Sequence, residues 1–156
     1  MPWGIVVDMM NDTDFSNALI LSIMAAESGG DTRAVSSAGA CGLMQIMWKE
    51  WFILSRRALC SSEWANIRKG IDILNSADKR AQSQGYDLRY ALAYYNCSEE
   101  GVHADKCGSA GGLHYADHVL NFWLPRIETQ IDWCVEQYGE DFWYNSNDVD
   151  RAGCNW

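Results

Sequence analysis

Apolar residues in this chain recur at intervals of three and four, and no segment alternates between apolar and polar in steps of two. The first period belongs to a helix with one buried face and the second to a half-buried strand. The expected fold class is therefore mainly α. The longest run is Leu113, Ala116, Leu120, Leu124, Ile127, Ile131, Cys134 and Tyr138, one stripe along a helix. Pro125 falls inside it and should kink or split the helix, because proline lacks an N–H and crowds the preceding turn. Another helix, capped by Ser61 or Ser62 and ended by Gly85, carries Ile67, Ile71, Leu74 and Ala81 on one face. A third, capped by Asp87, carries Leu88, Ala91, Leu92 and Tyr95. Upstream, Asn11 to Thr13 offer cap side chains with Asp14 in the first turn. The helix they would open bears Phe15, Ala18, Leu19, Ser22, Ile23 and Ala26, and Gly29-Gly30 stops it. Asp31 to Ala40 reads as loop, Gly42 to Ile46 as a short helical turn, and Cys97 to Gly112 as a second loop.

With 156 residues, 48% of them hydrophobic, the chain has the size of one domain with one core, spanning 1–156. It carries no internal repeat, and no run reaches the roughly 18 apolar residues that a membrane span needs. A net charge of −9 argues against nucleic acid, which is bound by clustered lysine and arginine. It disfavours an anionic membrane surface as well. Met1-Pro2-Trp3-Gly4, with Asp8 and Asp14 soon after, has no basic segment before an apolar one. It does not read as a signal peptide: either export does not use that route or a leader has been removed. Six cysteines, an even number, fit disulfides made in an oxidising compartment. Among the possible pairings, Cys97 with Cys107 would staple a single loop. Buried free thiols in a cytosolic protein are the alternative.

Glu27 is the candidate for acid chemistry. It ends an apolar helix and is followed by Ser28-Gly29-Gly30. Desolvation against apolar neighbours disfavours a carboxylate, and so does the negative end of a helix dipole. A carboxyl kept neutral near pH 7 can give its proton to a leaving oxygen. On position alone, a solvated glutamate in a last helical turn is the plainer reading.

The surroundings favour the acid. Glu27-Ser28, Ser36, and the run Gly39-Ala40-Cys41-Gly42-Leu43-Met44-Gln45 resemble, without a gap, the signature of the lytic transglycosylases, members of the lysozyme-like superfamily that includes goose-type lysozyme. Asn66-Ile67, Gly70 and Leu74 resemble that family's Asn-Ile…Gly…Leu helix. Tyr95-Asn96 resembles its Tyr-Asn motif, and Tyr115 with Val119-Leu120 its late tyrosine helix. The resemblance covers about residues 15–125. It departs where Cys97-Ser98 replaces the usual Ala-Gly, where Cys41 enters the glycine run, and where Trp48 replaces a proline.

The resemblance implies an α-rich lysozyme-like domain with a substrate groove, acting as a monomer on peptidoglycan glycan strands without metal or other cofactor. The implied reaction breaks the β-1,4 bond between N-acetylmuramic acid and N-acetylglucosamine and forms a 1,6-anhydro end, with Glu27 as acid and then base. Ser36 would contact substrate, and Met44 and Gln45 would line the groove floor. Tyr95 and Asn96 would face Glu27, Tyr95 donating a hydrogen bond to it, with Tyr115 close behind. Trp48, Trp51 and Trp123 are candidate sugar-stacking faces. The implied place of action is extracellular, periplasmic or phage-associated.

Three alternatives stand beside this reading. A goose-type hydrolysis would need a second carboxylate or a held water; Asp31, Glu50, Glu99 and Asp117 are candidates without a position. A non-catalytic glycan-binding domain could keep the same fold. A zinc site from His103, His114, His118, Cys97 and Cys107 matches no strong ligand spacing.

Overall fold

The computed structural model describes residues 13–49, 53–108, 111–140 and Cys154. Helix α1, Asn17–Ser28, lies at the centre, with Ala18 through Ala25 all buried. A helix apolar around its whole circumference belongs in the middle of a fold. Ser22, the polar residue in that stretch, is satisfied by donating to the Ala18 carbonyl at 2.6 Å. The helix begins at the Ser16 cap, whose hydroxyl accepts from the Leu19 N–H, several residues later than expected. Thr13 instead reaches Asn75 at 3.3 Å, holding the approach to α1 against a neighbouring helix. Asn11 lies outside the described residues. Gly29 ends α1 at φ 61°, a left-handed conformation that glycine adopts without strain.

The segment Gly42 to Ile46 is not a helical turn. Strands β1, Ala40–Cys41, and β2, Ile46–Met47, form an antiparallel hairpin in the register Ala40↔Met47 and Cys41↔Ile46. Gly42 at φ 75° and Gln45 at φ 47° break helical geometry and bring the chain back on itself. Strands of two residues are too short to leave an alternating pattern.

Helix α2, Arg56–Ser61, leads through the Ser62 cap into α3, Glu63–Ser83. Helix α3 buries Ile67, Gly70, Ile71, Leu74, Ala77 and Ala81, and Gly85 follows at φ 80°. Helix α4, Leu88–Cys97, is capped by Asp87 as expected, its carboxylate accepting from the Arg89 N–H. A short helix α5, Glu99–His103, stands inside the expected Cys97–Gly112 loop, capped by the Ser98 hydroxyl. The long C-terminal pattern is split into α6, Gly112–His118, a π-helical segment Val119–Trp123, and α7, Leu124–Tyr138. Helical backbone continues through all three, and the change of winding falls just before Pro125, which has no N–H for the hydrogen-bond ladder.

One core joins α1 to Leu43, Met44 and Ile46 of the hairpin, Ile67, Ile71 and Leu74 of α3, Leu92 of α4, and Val119, Ile127 and Cys134 further on. A smaller cluster of Ala77, Ala81, Ala91 and Tyr94 seals α3 against α4. Disulfides Cys41–Cys60, Cys97–Cys107 and Cys134–Cys154 use all six cysteines. The second is the expected loop staple, and the third returns the C-terminal tail to α7. Among the described residues, no helix is long and apolar enough to cross a membrane.

Candidate active site

The C-terminal end of α1 opens into a cleft of about 850 Å³. Its walls are the hairpin region (Ser36, Ala38, Ala40, Gln45, Ile46, Met47, Lys49), one stripe of α3 (Lys69, Asp72, Ile73, Ser76, Ala77, Arg80), and the end of α4 (Tyr94 to Ser98). Glu27 projects into it from α1. Its carboxyl is pushed up from 4.5 to about 7, first by desolvation; a contact with the Tyr115 hydroxyl acts in the opposite direction. Both phenols near it, Tyr95 and Tyr115, have pKa values held well above 10, chiefly by burial and then by the Glu27 charge. The Tyr115 hydroxyl is buried beside Glu27 but forms no hydrogen bond of ordinary geometry. It approaches the carboxyl loosely: near enough to favour the carboxylate, not locked to it.

The position of Glu27 is fixed by its neighbour. The Ser28 hydroxyl donates to the Leu43 carbonyl at 2.9 Å, has the Met24 carbonyl in reach at 3.1 Å, and accepts from the Gly30 N–H. The end of α1 is thereby tied to the hairpin loop. That loop is tied in turn to α3 by Asn66, which is 2% exposed. The Asn66 side chain accepts from Met44 N–H at 2.9 Å and donates to the carbonyls of Cys41 (2.8 Å) and Leu59 (3.3 Å). Two glycines permit this approach. A Cβ on Gly42 would lie 2.4 Å from Asn66 Nδ2, and one on Gly70 would lie 2.2 Å from Met44 Sδ. The Glu-Ser, Gly-Leu-Met-Gln and Asn-Ile…Gly motifs are thus one set of contacts that seats Glu27.

Among the residues singled out from sequence, Glu27, Ser36, Gln45, Tyr95 and Asn96 come together around the cleft. Ser36 accepts from the Ala40 N–H at 3.0 Å, so its hydroxyl shapes the loop while facing the cleft. The Gln45 amide donates to the Gly42 and Ala34 carbonyls at 2.9 and 3.2 Å. Those bonds use its nitrogen and leave the amide oxygen as the remaining acceptor. Two expectations need correction. Met44 does not line the groove floor: its side chain is fully buried against Gly70, and its backbone is what matters. Tyr95 does not bond to Glu27, because its single hydroxyl proton goes to the Met44 carbonyl at 2.8 Å. Tyr115 stands behind Glu27 and outside the cleft lining.

Neither Trp48 nor Trp123 lines the cleft. Trp48 packs on the core and donates to the Leu54 carbonyl, and Trp123 donates to His118. Trp51 lies outside the described residues, as does Glu50. Of the other candidate carboxylates, Glu99 pairs with Arg80, Asp117 with Arg89, and Asp31 accepts from its own loop at Arg33 N–H. Among the described carboxylates, Asp72 shares the cleft with Glu27, and sequence reasoning missed it together with Lys49, Lys69, Arg80 and Tyr94. A signal existed: positions 69, 72, 76 and 80 form a second stripe on α3, beside the apolar one. Cys97 and Cys107 are joined to each other, and His103 meets the Tyr94 hydroxyl at 2.8 Å. These residues are therefore engaged elsewhere than in a shared metal site.

Fold and cleft together define a lysozyme-like helical domain with a buried carboxyl at its opening. The chain belongs to the Transglycosylase SLT domain family, whose sequence pattern matches residues 8–111. Its fold is similar to part of the 70 kDa soluble lytic transglycosylase of Escherichia coli, with a TM-score of 0.55 and 15% identity. That likeness covers 91% of this chain and 25% of the other, so the chain spans about a quarter of the larger protein's length. No curated protein matches this chain in sequence.

Proposed function

We propose that this domain cleaves peptidoglycan glycan strands at the β-1,4 bond between N-acetylmuramic acid and N-acetylglucosamine, as a lytic transglycosylase. The observation that carries the reading is a carboxyl held near pKa 7 by burial, at the wall of a cleft large enough for sugar rings. Glu27 gives its proton to the glycosidic oxygen as the C1–O bond breaks. The carboxylate left behind takes the proton of the muramic C6 hydroxyl, which closes on C1 to give the 1,6-anhydro ring. The acid is thereby restored, and no water is consumed.

Proton donation needs the neutral form, which burial maintains. Ser36, Gln45 and Asn96 supply hydrogen-bonding groups along the cleft. Tyr95 braces the wall through Met44, and Tyr115 offers its hydroxyl to the carboxylate when it forms. The domain works as a monomer outside the cytoplasm, where the wall lies and where three disulfides persist. Asp72 supports a second reading, hydrolysis with that carboxylate holding a water.

Mass spectrometry of digested peptidoglycan tests both. Anhydro-muramic ends that vanish with Glu27→Gln support the transglycosylase. Ends that have gained water show hydrolysis. Full activity in Glu27→Gln overturns the assignment of the acid.

A further inference from the structure

The loosely held Tyr115 hydroxyl raises the question of what keeps it beside Glu27. Tyr115 sits on α6, a helix of seven residues, Gly112–His118. It runs on in helical backbone into the π-helical segment Val119–Trp123 and α7, so its start is its one free end. Two contacts fix these first turns on the rest of the fold. At its start, Gly112 lies so close to Cys107 that a Cβ there would be 2.9 Å from the sulfur. At its end, Asp117 receives a two-pronged bond from Arg89 of α4, with Nε to Oδ1 at 2.6 Å and Nη2 to Oδ2 at 2.7 Å. The fork geometry of a guanidinium on a carboxylate fixes orientation as well as distance. Helix α4 is the same element that presents Tyr95 to the acid.

We propose that Arg89 and Asp117 are positioning residues for the acid: their ion pair docks α6 on α4 and so keeps the Tyr115 hydroxyl against Glu27. The inference rests on the reading of Glu27 as the acid. Pairs exposed as this one is usually add little to stability, and bidentate geometry is the recognised exception. The charge state of the pair is robust. Asp117 is held below its ordinary value by the Arg89 bond first, and His114 acts in the same direction. Arg89 is raised, with Asp117 first and Tyr90 and Asp87 adding. Around Glu27 the titratable neighbours are Tyr95 from α4 and Tyr115 from α6, and the other charged groups of the cleft are Lys49, Lys69, Asp72 and Arg80.

Because Tyr115 favours the carboxylate form of Glu27, moving its hydroxyl off the carboxyl while Glu27 stays buried should raise the Glu27 pKa further. The test is a carbon-13 NMR titration of the Glu27 carboxyl in wild type, Arg89→Met, Asp117→Asn and the charge-exchanged Arg89→Asp/Asp117→Arg protein. Turnover on purified peptidoglycan is measured alongside. The expected result is an upward shift in both single variants and a fall in kcat on the order of tenfold at unchanged KM, with recovery of both in the exchanged protein. Single variants that melt earlier but keep the wild-type titration and kcat while folded overturn the proposal. So does an exchanged protein that folds but recovers neither. The titration reads the positioning without any turnover, so an inactive wild type would count against the proposed function and not against the pair.

Discussion

At the scale of single residues, the burial of Glu27 costs stability at high pH. Its carboxyl titrates near 7 in the folded protein and at 4.5 when unconstrained. Between these values the native state binds more protons than the unfolded state, so its contribution to stability is intact below 4.5 and is lost as pH rises through 7. The loss amounts to at most about 3 kcal/mol. Glu27→Gln removes the penalty. The variant should be more stable than wild type at pH 8 by up to that amount and about equally stable at pH 4, as read by denaturant unfolding at the two pH values. Its activity should fall by roughly 10²- to 10⁴-fold. Glu27 stood out in the sequence through the motifs around it, since a glutamate at the end of an apolar helix reads by itself as solvated. Tyr95 and Met44 were legible as members of the site but not in their parts. Which atom a phenol donates to depends on where a distant carbonyl falls, and 51 residues separate Tyr95 from Met44.

At the scale of elements, the hairpin and α3 are held together by one buried amide. Asn66→Ala strands the Met44 N–H and the Cys41 and Leu59 carbonyls inside the core. It should cost about 2–4 kcal/mol, since each stranded group carries its own desolvation penalty, and a shift in the denaturant midpoint measures it. Two of the disulfides should separate by function. Cys97 lines the cleft and Cys107 abuts Gly112 at the start of α6. Cys97→Ser/Cys107→Ser should therefore lower both the melting temperature and kcat. Cys134→Ser/Cys154→Ser, which frees only the link between α7 and the tail, should lower the melting temperature and leave kcat unchanged. Long helices α1, α3, α4 and α7 could be read from spacing and caps. The hairpin, α2 and α5 could not: they are too short for periodicity, and the hairpin exists because Gly42 and Gln45 take left-handed backbone against α3.

At the scale of the whole molecule, the fold builds a protected opening at the end of its central helix. Residues far apart in sequence (Glu27, Ser36, Gln45, Asn96) meet there because α1 is buried on every side except at its terminus. The family motifs were readable as strings; the structure shows why they are spaced as they are, since each supplies one contact of the seat around Glu27. The α3 stripe with Asp72 and Arg80 was less legible, because a polar helix face looks the same whether it borders a cleft or open solvent. All of this converges on a carboxyl whose titration burial raises to about 7. The direct measurement is the titration of the Glu27 side-chain carboxyl by carbon-13 NMR, assigned by its absence in Glu27→Gln. A midpoint near 7 is predicted; a midpoint near 4.5 would contradict the account.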